Sequence, residues 1–166
     1  MATEIERKFL VKNNSFLLKA AMAPIKIYQG YLSTDPTKTI RIRITEWPGK
    51  EPFAELTIKG IGNDSGTSRK EWEVLIPIED ALEMINLCDN EIIKKKRYLL
   101  REKRSMFEVD VFEGSLAGLV IAEIELDSED QEIERPSWLG KEVTGQIKYY
   151  NSFLAEHPTT DHGRTS

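Results

Sequence analysis

The chain has 166 residues, of which 40% are hydrophobic and 31% are charged, and its formal net charge is −5. These values predict one folded domain with a core, and the acidic balance argues against non-specific binding to nucleic acids or acidic membranes. A single cysteine, Cys88, excludes an internal disulfide, and no apolar run approaches the roughly 18 residues of a membrane span, so we expect a cytoplasmic protein.

Short segments in which apolar and polar residues alternate dominate the chain, and this alternation is typical of β-strands. Turn residues such as Asp35-Pro36, Pro48-Gly49 and Glu113-Gly114 separate the segments, and Gly60–Gly66 has the composition of a hairpin tip. We predict eight strands, near residues 3–11, 26–33, 39–46, 53–60, 67–76, 92–101, 106–112 and 120–127.

Three stretches have the pattern of helices. The first is Phe16–Ala23, and the second is Ile78–Asn90, in which apolar residues recur at helical spacing after a proline. Thr144 is a candidate cap for a last helix that would run through Glu156. We therefore predict one domain over residues 1–158 and a disordered polar tail over 159–166.

The polar face of most strands carries charges rather than Ser, Thr or Gln, and the charges come in same-sign pairs. Because side chains two residues apart share a face of a strand, each pair places two like charges side by side. The pairs are Glu4/Glu6, Arg41/Arg43, Glu71/Glu73, Lys95/Arg97 and Glu123/Glu125. A sheet with one solvated face and cross-strand ion pairs is the ordinary explanation of any single strand. Like charges repeated on strand after strand instead suggest ligands of opposite sign.

A closed barrel with these faces inward would bring the charges together, since about eight strands leave room for side chains or one small ligand. The apolar faces would then point outward and need cover from the helices or from a second subunit, as in a homodimer. The inward set would contain seven cations, namely Lys8, Arg41, Arg43, Lys59, Arg69, Lys95 and Arg97. It would contain eight anions, namely Glu4, Glu6, Glu71, Glu73, Glu108, Asp110, Glu123 and Glu125.

The residue types in this set favour some chemistries and argue against others. Carboxylates alone select hard cations, Mg²⁺ or Mn²⁺, rather than zinc. His157 and His162 lie in or near the tail, so histidine acid–base chemistry is not expected, and Cys88 sits in an apolar stretch typical of a buried thiol. The chain lacks a Gly-rich phosphate loop and a dinucleotide fingerprint, so phosphate recognition would fall to Arg and Lys side chains.

Blocks of residues along nearly the whole chain resemble the CYTH superfamily, also called the triphosphate tunnel metalloenzymes. Glu4-Ile5-Glu6-Arg7-Lys8 matches the ExExK signature of that family, which alone would be weak. The other blocks, in order, are 29–32 (QGYL), 41–43 (RIR), 56–59 (LTIK), 68–73 (SRKEWE), 95–98 (KKRY), 107–112 (FEVDVF), 122–125 (AEIE), Val143-Thr144 and Lys148-Tyr149. Tyr150 departs from the pattern, because relatives often carry another polar or basic residue there.

The resemblance implies an α+β fold of mostly antiparallel strands, an eight-stranded closed tunnel barrel with a polar interior and a few covering helices. It implies Mg²⁺ or Mn²⁺ as cofactor and a triphosphate as substrate, with the chain most similar to the small bacterial inorganic triphosphatases. Other members are thiamine triphosphatases, RNA triphosphatases and class IV adenylyl cyclases.

On this basis we predict roles for individual residues. The predicted phosphate-binding residues are Lys8, Arg41, Arg43, Lys59, Arg69, Lys95 and Arg97. The predicted metal ligands are Glu4, Glu6, Glu123, Glu125 and Glu73, and the residues predicted to act in catalysis are Glu6, Lys8, Glu73 and Lys95. A metal-activated water would attack the terminal phosphorus in line.

Some of these residues have a structural alternative. Arg69 could instead pair with Glu71 or a neighbouring glutamate, and Glu108 and Asp110 could orient other side chains rather than bind metal. Trp72 and Trp138 are expected to be packing residues.

Three other functions remain open at this point. An adenylyl cyclase would use the same tunnel on ATP, and a non-catalytic module would bind polyphosphate without cleaving it. A purely structural acidic sheet protein would bind neither.

Overall fold

The computed structural model describes residues 2–158, and the predicted tail over 159–166 lies outside this range. Nine strands account for nearly half of the described chain, and the first eight match the predicted strands closely. They are β1 (Ala2–Val11), β2 (Ile25–Ser33), β3 (Lys38–Glu46), β4 (Phe53–Gly62), β5 (Ser68–Ile76), β6 (Ile93–Glu102), β7 (Ser105–Phe112), β8 (Val120–Glu125) and β9 (Leu139–Glu142).

The strands form one antiparallel sheet in the order β5-β4-β3-β2-β6-β7-β8-β1, and it closes because β1 also pairs with β5. The two halves of β1 serve different neighbours. Its first residues, Ala2–Ile5, pair with β5, and residues Glu6–Leu10 pair with β8. The short strand β9 adds to the end of β1. The predicted closed eight-stranded barrel is therefore confirmed, with β9 as an additional strand.

The helices are shorter than the sequence pattern predicts. The first stretch forms a 3-10 helix, Asn14–Lys19, which begins after Asn13, whose side chain accepts a hydrogen bond from the Ser15 amide. Helix α1 spans Ile78–Asn86 and ends four residues before the predicted limit. The last predicted helix divides into a 3-10 turn, Ile147–Tyr149, and helix α2, Asn151–Glu156. Within residues 2–158, no helix is both long and apolar enough to cross a bilayer.

Apolar side chains cover parts of the outer surface. Phe16 and Trp138 are both buried and pack edge-on against each other and against the outer face of β6 and β7. Helix α1 covers β3 and β4 through a cluster that contains Ile42, Ala54 and Ala81. On the outer face of β5, Ile76 packs against this cluster, but Trp72 is 43% exposed and Val74 is 54% exposed. The expectation that Trp138 is a packing residue is confirmed, and that for Trp72 is wrong.

One end of the barrel interior is apolar rather than charged. Ile93, Phe112 and Ile121 come from three adjacent strands and are no more than 2% exposed. They pack in one cluster with Leu154 and Ala155 of α2. The C-terminal helix therefore fills this end, and the charged side chains occupy the rest of the interior.

Candidate active site

A cavity of about 220 Å³ lies inside the barrel, and charged side chains dominate its wall. All seven cations that the strand pattern predicted to face inward line it, and so do seven of the eight predicted anions. The exception is Asp110, which is buried behind the wall. The predicted polar interior is therefore confirmed, because β-strand alternation does aim these faces at one space.

Two lysines lie beside carboxylates on the β1 side of the cavity. Lys59 contacts Glu4 and lies 3.0 Å from Glu71, and Lys8 Nζ lies 3.4 Å from Glu123 Oε1. The register of β1 against β8 explains the second pair, since Lys8 stands directly opposite Glu123. Both lysines therefore line the cavity and are paired with carboxylates of its wall.

Four carboxylates crowd together on β1 and β8, where Glu6 stands opposite Glu125. Burial, and then the charges of Glu123 and Glu4, raise the pKa of Glu6 to about 7. Burial, Glu4 and Glu71 also raise the pKa of Glu125. Glu123 differs: although burial raises its pKa, Lys8, Arg97 and Lys95 hold it well below its usual range. Taken together, the four carboxylates on β1 and β8 therefore carry more negative charge than the adjacent lysines and arginines neutralise.

A buried charge network joins β6 to β7. Asp110 accepts hydrogen bonds from Lys95 Nζ at 2.6 Å and from Arg97 Nε at 2.7 Å, and Arg97 also pairs with Glu108. Burial lowers the pKa of Lys95 to about 7, with Arg97 and Arg43 acting in the same direction and Asp110 opposing. Burial raises the pKa of Asp110, but Arg97 and Lys95 outweigh it and hold that pKa below its ordinary value. Asp110 thus orients two cavity cations, which is the structural alternative the sequence left open.

The opposite wall presents arginines that carboxylates do not fully neutralise. Arg43 makes no ion pair with any carboxylate among residues 2–158, and its Nε donates to Gln29 Oε1 at 3.2 Å. Burial, together with Arg41 and Arg97, lowers the pKa of Arg43 to about 10. Arg41 Nε is buried without a hydrogen-bond partner in the described part of the chain. Such groups are the donors that an anion entering the cavity would satisfy.

Comparison with known proteins gives this geometry a context. The model of the CYTH domain matches residues 2–153. This chain belongs to the CYTH family. A protein from Acetivibrio thermocellus called inorganic triphosphatase is 39% identical over 159 residues, which cover 95% of this chain and 96% of the relative.

A second relative and a solved structure agree with this match. An inorganic triphosphatase from Nitrosomonas europaea is 36% identical over 156 residues, which cover 92% of this chain and 97% of the relative. The crystal structure of the inorganic triphosphatase NE1496 superposes with a TM-score of 0.65 at 30% identity, over 98% of this chain and 99% of that one. The family resemblance that the sequence motifs indicated is therefore confirmed.

CYTH membership implies a divalent metal cofactor, and the carboxylates on β1 and β8 have the right chemistry for one. Oxygen ligands suit hard cations, and a cation would relieve the repulsion that raises the pKa of Glu6 and Glu125. Within residues 2–158 no three such side chains converge into a ready-made site, since Glu4 is turned to Lys59 and Glu123 to Lys8. The donor set fits the group, and binding would require these lysines to give way.

Not every residue predicted for the CYTH site lies with the four carboxylates on β1 and β8. Glu73 accepts a hydrogen bond from Thr57 at 3.1 Å and lies 3.7 Å from Arg41, so its contacts are with the arginine wall. Its role as a metal ligand stays a prediction. Arg69 makes no ion pair among residues 2–158 and instead lies over the ring of Tyr150 at 5.4 Å.

Several residues at the site were absent from the predicted set, and four of them lie beside its charged groups. Glu55 and Asn151 line the cavity, Gln29 is buried behind it, and Tyr150 lies between Lys8 and Arg69. Glu55 shares the inward face of β4 with Lys59 and could have been found by strand parity alone. The two amides carry no charge, so a search for charged faces misses them.

Replacing Asp110 with Asn tests its structural role. We expect the free energy of unfolding at neutral pH to fall by about 3–5 kcal/mol, because Lys95 and Arg97 would stay buried without their counter-charge. Urea denaturation measures the loss. The wild type should also lose this stability as pH falls through the depressed pKa of Asp110, and the variant should lack that part of the acid dependence.

The control for Asp110→Asn is Asp80→Asn on helix α1, where the carboxylate is exposed. It should change stability by no more than about 0.5 kcal/mol. A loss below about 1 kcal/mol for Asp110→Asn would contradict its assignment as the anchor of the two cations.

Proposed function

We propose that this CYTH protein is a metal-dependent hydrolase that cleaves the terminal phosphate of inorganic triphosphate inside the barrel. The observation that carries the proposal is the asymmetry of the cavity wall. Arginines without full carboxylate neutralisation line the β3 side, and a surplus of carboxylates lines β1 and β8. A small polyanion accompanied by a divalent cation has the charge distribution that complements both sides. Two relatives named inorganic triphosphatase agree with it.

In this proposal the cations grip the phosphate oxygens. Arg41 and Arg43 offer the forked guanidinium geometry that suits bidentate contacts, whereas the lysines act as point charges. Arg69 joins them, because it lies over the Tyr150 ring and makes no ion pair with a carboxylate among residues 2–158. The complete set is Lys8, Arg41, Arg43, Lys59, Arg69, Lys95 and Arg97.

Glu4, Glu6, Glu123 and Glu125 would hold Mg²⁺ or Mn²⁺. When bound, such an ion neutralises phosphate charge and acidifies a coordinated water. The protein contributes position and electrostatics: the cations stabilise the charge that develops on the leaving diphosphate, and a water molecule provides the oxygen of the released phosphate. Glu6, Lys8 and Lys95 line the cavity and would act directly, with Glu73 supporting them through Arg41.

The binding of triphosphate without metal should depend on pH near neutrality. Burial lowers the pKa of Lys95 to about 7, so its ammonium loses a proton and its positive charge above that pH. Glu6, raised to about 7 by burial and by Glu123 and Glu4, gains negative charge over the same range. We therefore expect tripolyphosphate affinity, measured calorimetrically in chelator, to fall between about pH 6 and about pH 8.

Magnesium alone should show the opposite trend over that range, because ionised Glu6 attracts a cation. The control is Lys26→Met on the exposed face of β2, which should leave both trends unchanged. Equal tripolyphosphate affinity at both pH values would contradict the assignment of these two groups to the binding site.

A phosphate-release panel tests the function. Tripolyphosphate, ATP, thiamine triphosphate and pyrophosphate are each supplied with Mg²⁺ or Mn²⁺, and the products are separated by chromatography. We expect phosphate and diphosphate from tripolyphosphate. Cyclic AMP and diphosphate from ATP would instead identify a cyclase, and tight binding without phosphate release would identify a binding module. The predicted cytoplasmic location and homodimer are not addressed by this experiment and stay predictions.

A further inference from the structure

Gln29 is a fully buried polar side chain that connects the arginine wall to the C-terminal helix. It is 0% exposed, and it stands opposite Arg43 in the register of β2 and β3. Its Oε1 accepts a hydrogen bond from Arg43 Nε at 3.2 Å. Its Nε2 donates to Tyr31 Oη at 2.9 Å and to Asn151 Oδ1 at 3.1 Å. Both ends of the amide are therefore used, and its orientation is fixed.

Asn151 extends this connection to a second cation. It is the first residue of α2 and lines the cavity. Its Oδ1 accepts a hydrogen bond from Lys95 Nζ at 3.0 Å in addition to the one from Gln29. A continuous series of hydrogen bonds thus runs from Arg43 through Gln29 and Asn151 to Lys95. We call Gln29 and Asn151 the amide pair.

The amide pair has a property that carboxylates at the same positions would lack. An amide oxygen can hold a cation in place without cancelling its charge, whereas a carboxylate within 3.2 Å would neutralise it. Among residues 2–158 Arg43 has no carboxylate ion pair, and its geometry depends on Gln29. Within the described chain no carboxylate contacts it directly, although Glu55 stands opposite it on β4, so most of its charge stays available to an anion in the cavity.

We propose that Gln29 and Asn151 are positioning residues: Gln29 holds Arg43 in line with the triphosphate while leaving its charge for it, and Asn151 fixes Lys95 without adding a second carboxylate to that of Asp110. This proposal rests on the proposed function. It also gives α2 a role beyond filling the end of the barrel, because seating of its first residue fixes two cations on two different strands. Misplacement of such groups by about 1 Å can cost on the order of 100-fold in rate.

Charge-introducing variants separate positioning from mere structural support. In Gln29→Glu the side chain keeps its size and its acceptor oxygen but adds a negative charge beside Arg43. We expect the melting temperature to change little, because the new ion pair with Arg43 offsets the loss of the Nε2 hydrogen bonds to Tyr31 and Asn151. Tripolyphosphate affinity in chelator and kcat/KM with Mg²⁺ should nevertheless each fall at least about tenfold, since the arginine charge is now cancelled.

Two uncharged variants test alignment. Asn151→Ala and Gln29→Leu remove the acceptors of Lys95 and Arg43, and we expect kcat/KM to fall about tenfold with most of the change in KM. Asn151→Asp repeats the charge test beside Lys95, so the proposal stays testable if Gln29→Glu does not fold. The matched control is Asn86→Ala at the exposed end of α1, which should leave kcat/KM unchanged.

The outcomes separate this proposal from the proposed function. If the wild type neither binds nor hydrolyses tripolyphosphate, both fail together. If the wild type is active and folded Gln29→Glu or Asn151→Asp binds tripolyphosphate within twofold of it, the positioning role alone is overturned. A loss of affinity that only follows a loss of melting temperature across all the variants would also overturn it, because that is the behaviour of structural support.

Discussion

Glu123→Gln should lower kcat/KM for tripolyphosphate by on the order of 100-fold or more, equivalent to about 2.7 kcal/mol of lost transition-state stabilisation. The side chain keeps its shape but loses the charge that Lys8, Arg97 and Lys95 hold ionised. Two consequences follow from that loss. The cluster of carboxylates on β1 and β8 loses one ligand for the divalent ion, and Lys8 loses the partner that lies 3.4 Å away. Steady-state kinetics over a range of Mg²⁺ concentrations measures the effect.

The same experiment needs a matched substitution and a test of folding. Glu83→Gln lies on the exposed side of α1 and should leave both kcat/KM and the Mg²⁺ dependence unchanged. Circular dichroism and a thermal melt should show that Glu123→Gln is folded. Wild-type turnover with an unchanged metal requirement would refute the role of Glu123.

Arg43→Ala should lower kcat/KM for tripolyphosphate about 10- to 100-fold, because a charge-assisted hydrogen bond contributes about 1.5–3 kcal/mol. The stability of Arg43→Ala should not fall with its activity. Burial and the charges of Arg41 and Arg97 disfavour the Arg43 guanidinium in the free protein, as the lowering of its pKa to about 10 indicates. We therefore expect the melting temperature to change little while activity is lost, because relief of the buried charge offsets the lost hydrogen bond to Gln29. This separation is the signature of a residue retained for its ligand.

Two substitutions bracket that result. Arg43→Lys keeps the charge and loses the fork, so it should recover part of the activity but not all. Arg104→Ala removes an exposed arginine from the turn between β6 and β7 and should have no effect. A change in kcat/KM below twofold for Arg43→Ala would exclude Arg43 as a phosphate clamp.

The barrel and most of its lining could be predicted because both follow from the two-residue alternation of side chains along a β-strand. Arg41 and Arg43 must share a face of β3 if that segment is extended, and the same holds for Glu4 and Glu6 on β1. Inspection of single strands could not show that these faces meet across a cavity. That inference needed the same-sign pairs on several strands, together with the family resemblance.

The features of the fold and site that could not be predicted depend on tertiary contacts, which leave no local pattern in the sequence. The break in the last helix is an example: Tyr150 has an extended backbone, with φ −70° and ψ 136°. The break leaves the Tyr149 carbonyl free of a helical bond, and it accepts one from Lys8 Nζ at 3.2 Å. Nothing in the spacing of residues 144–156 predicts this. Gln29 was hidden for a related reason, since a single buried amide has no periodic signature.

The apolar packing of α2 against Ile93, Phe112 and Ile121 affects how substrate enters the barrel and how products leave it. With that end filled, a polyphosphate strand cannot thread from one side to the other. We expect a polyphosphate to enter from the opposite end with its terminus first, and the cleavage products to leave from that same end. A cavity closed at one end in this way favours short substrates over long polymers, and release of diphosphate would then compete with binding of the next substrate.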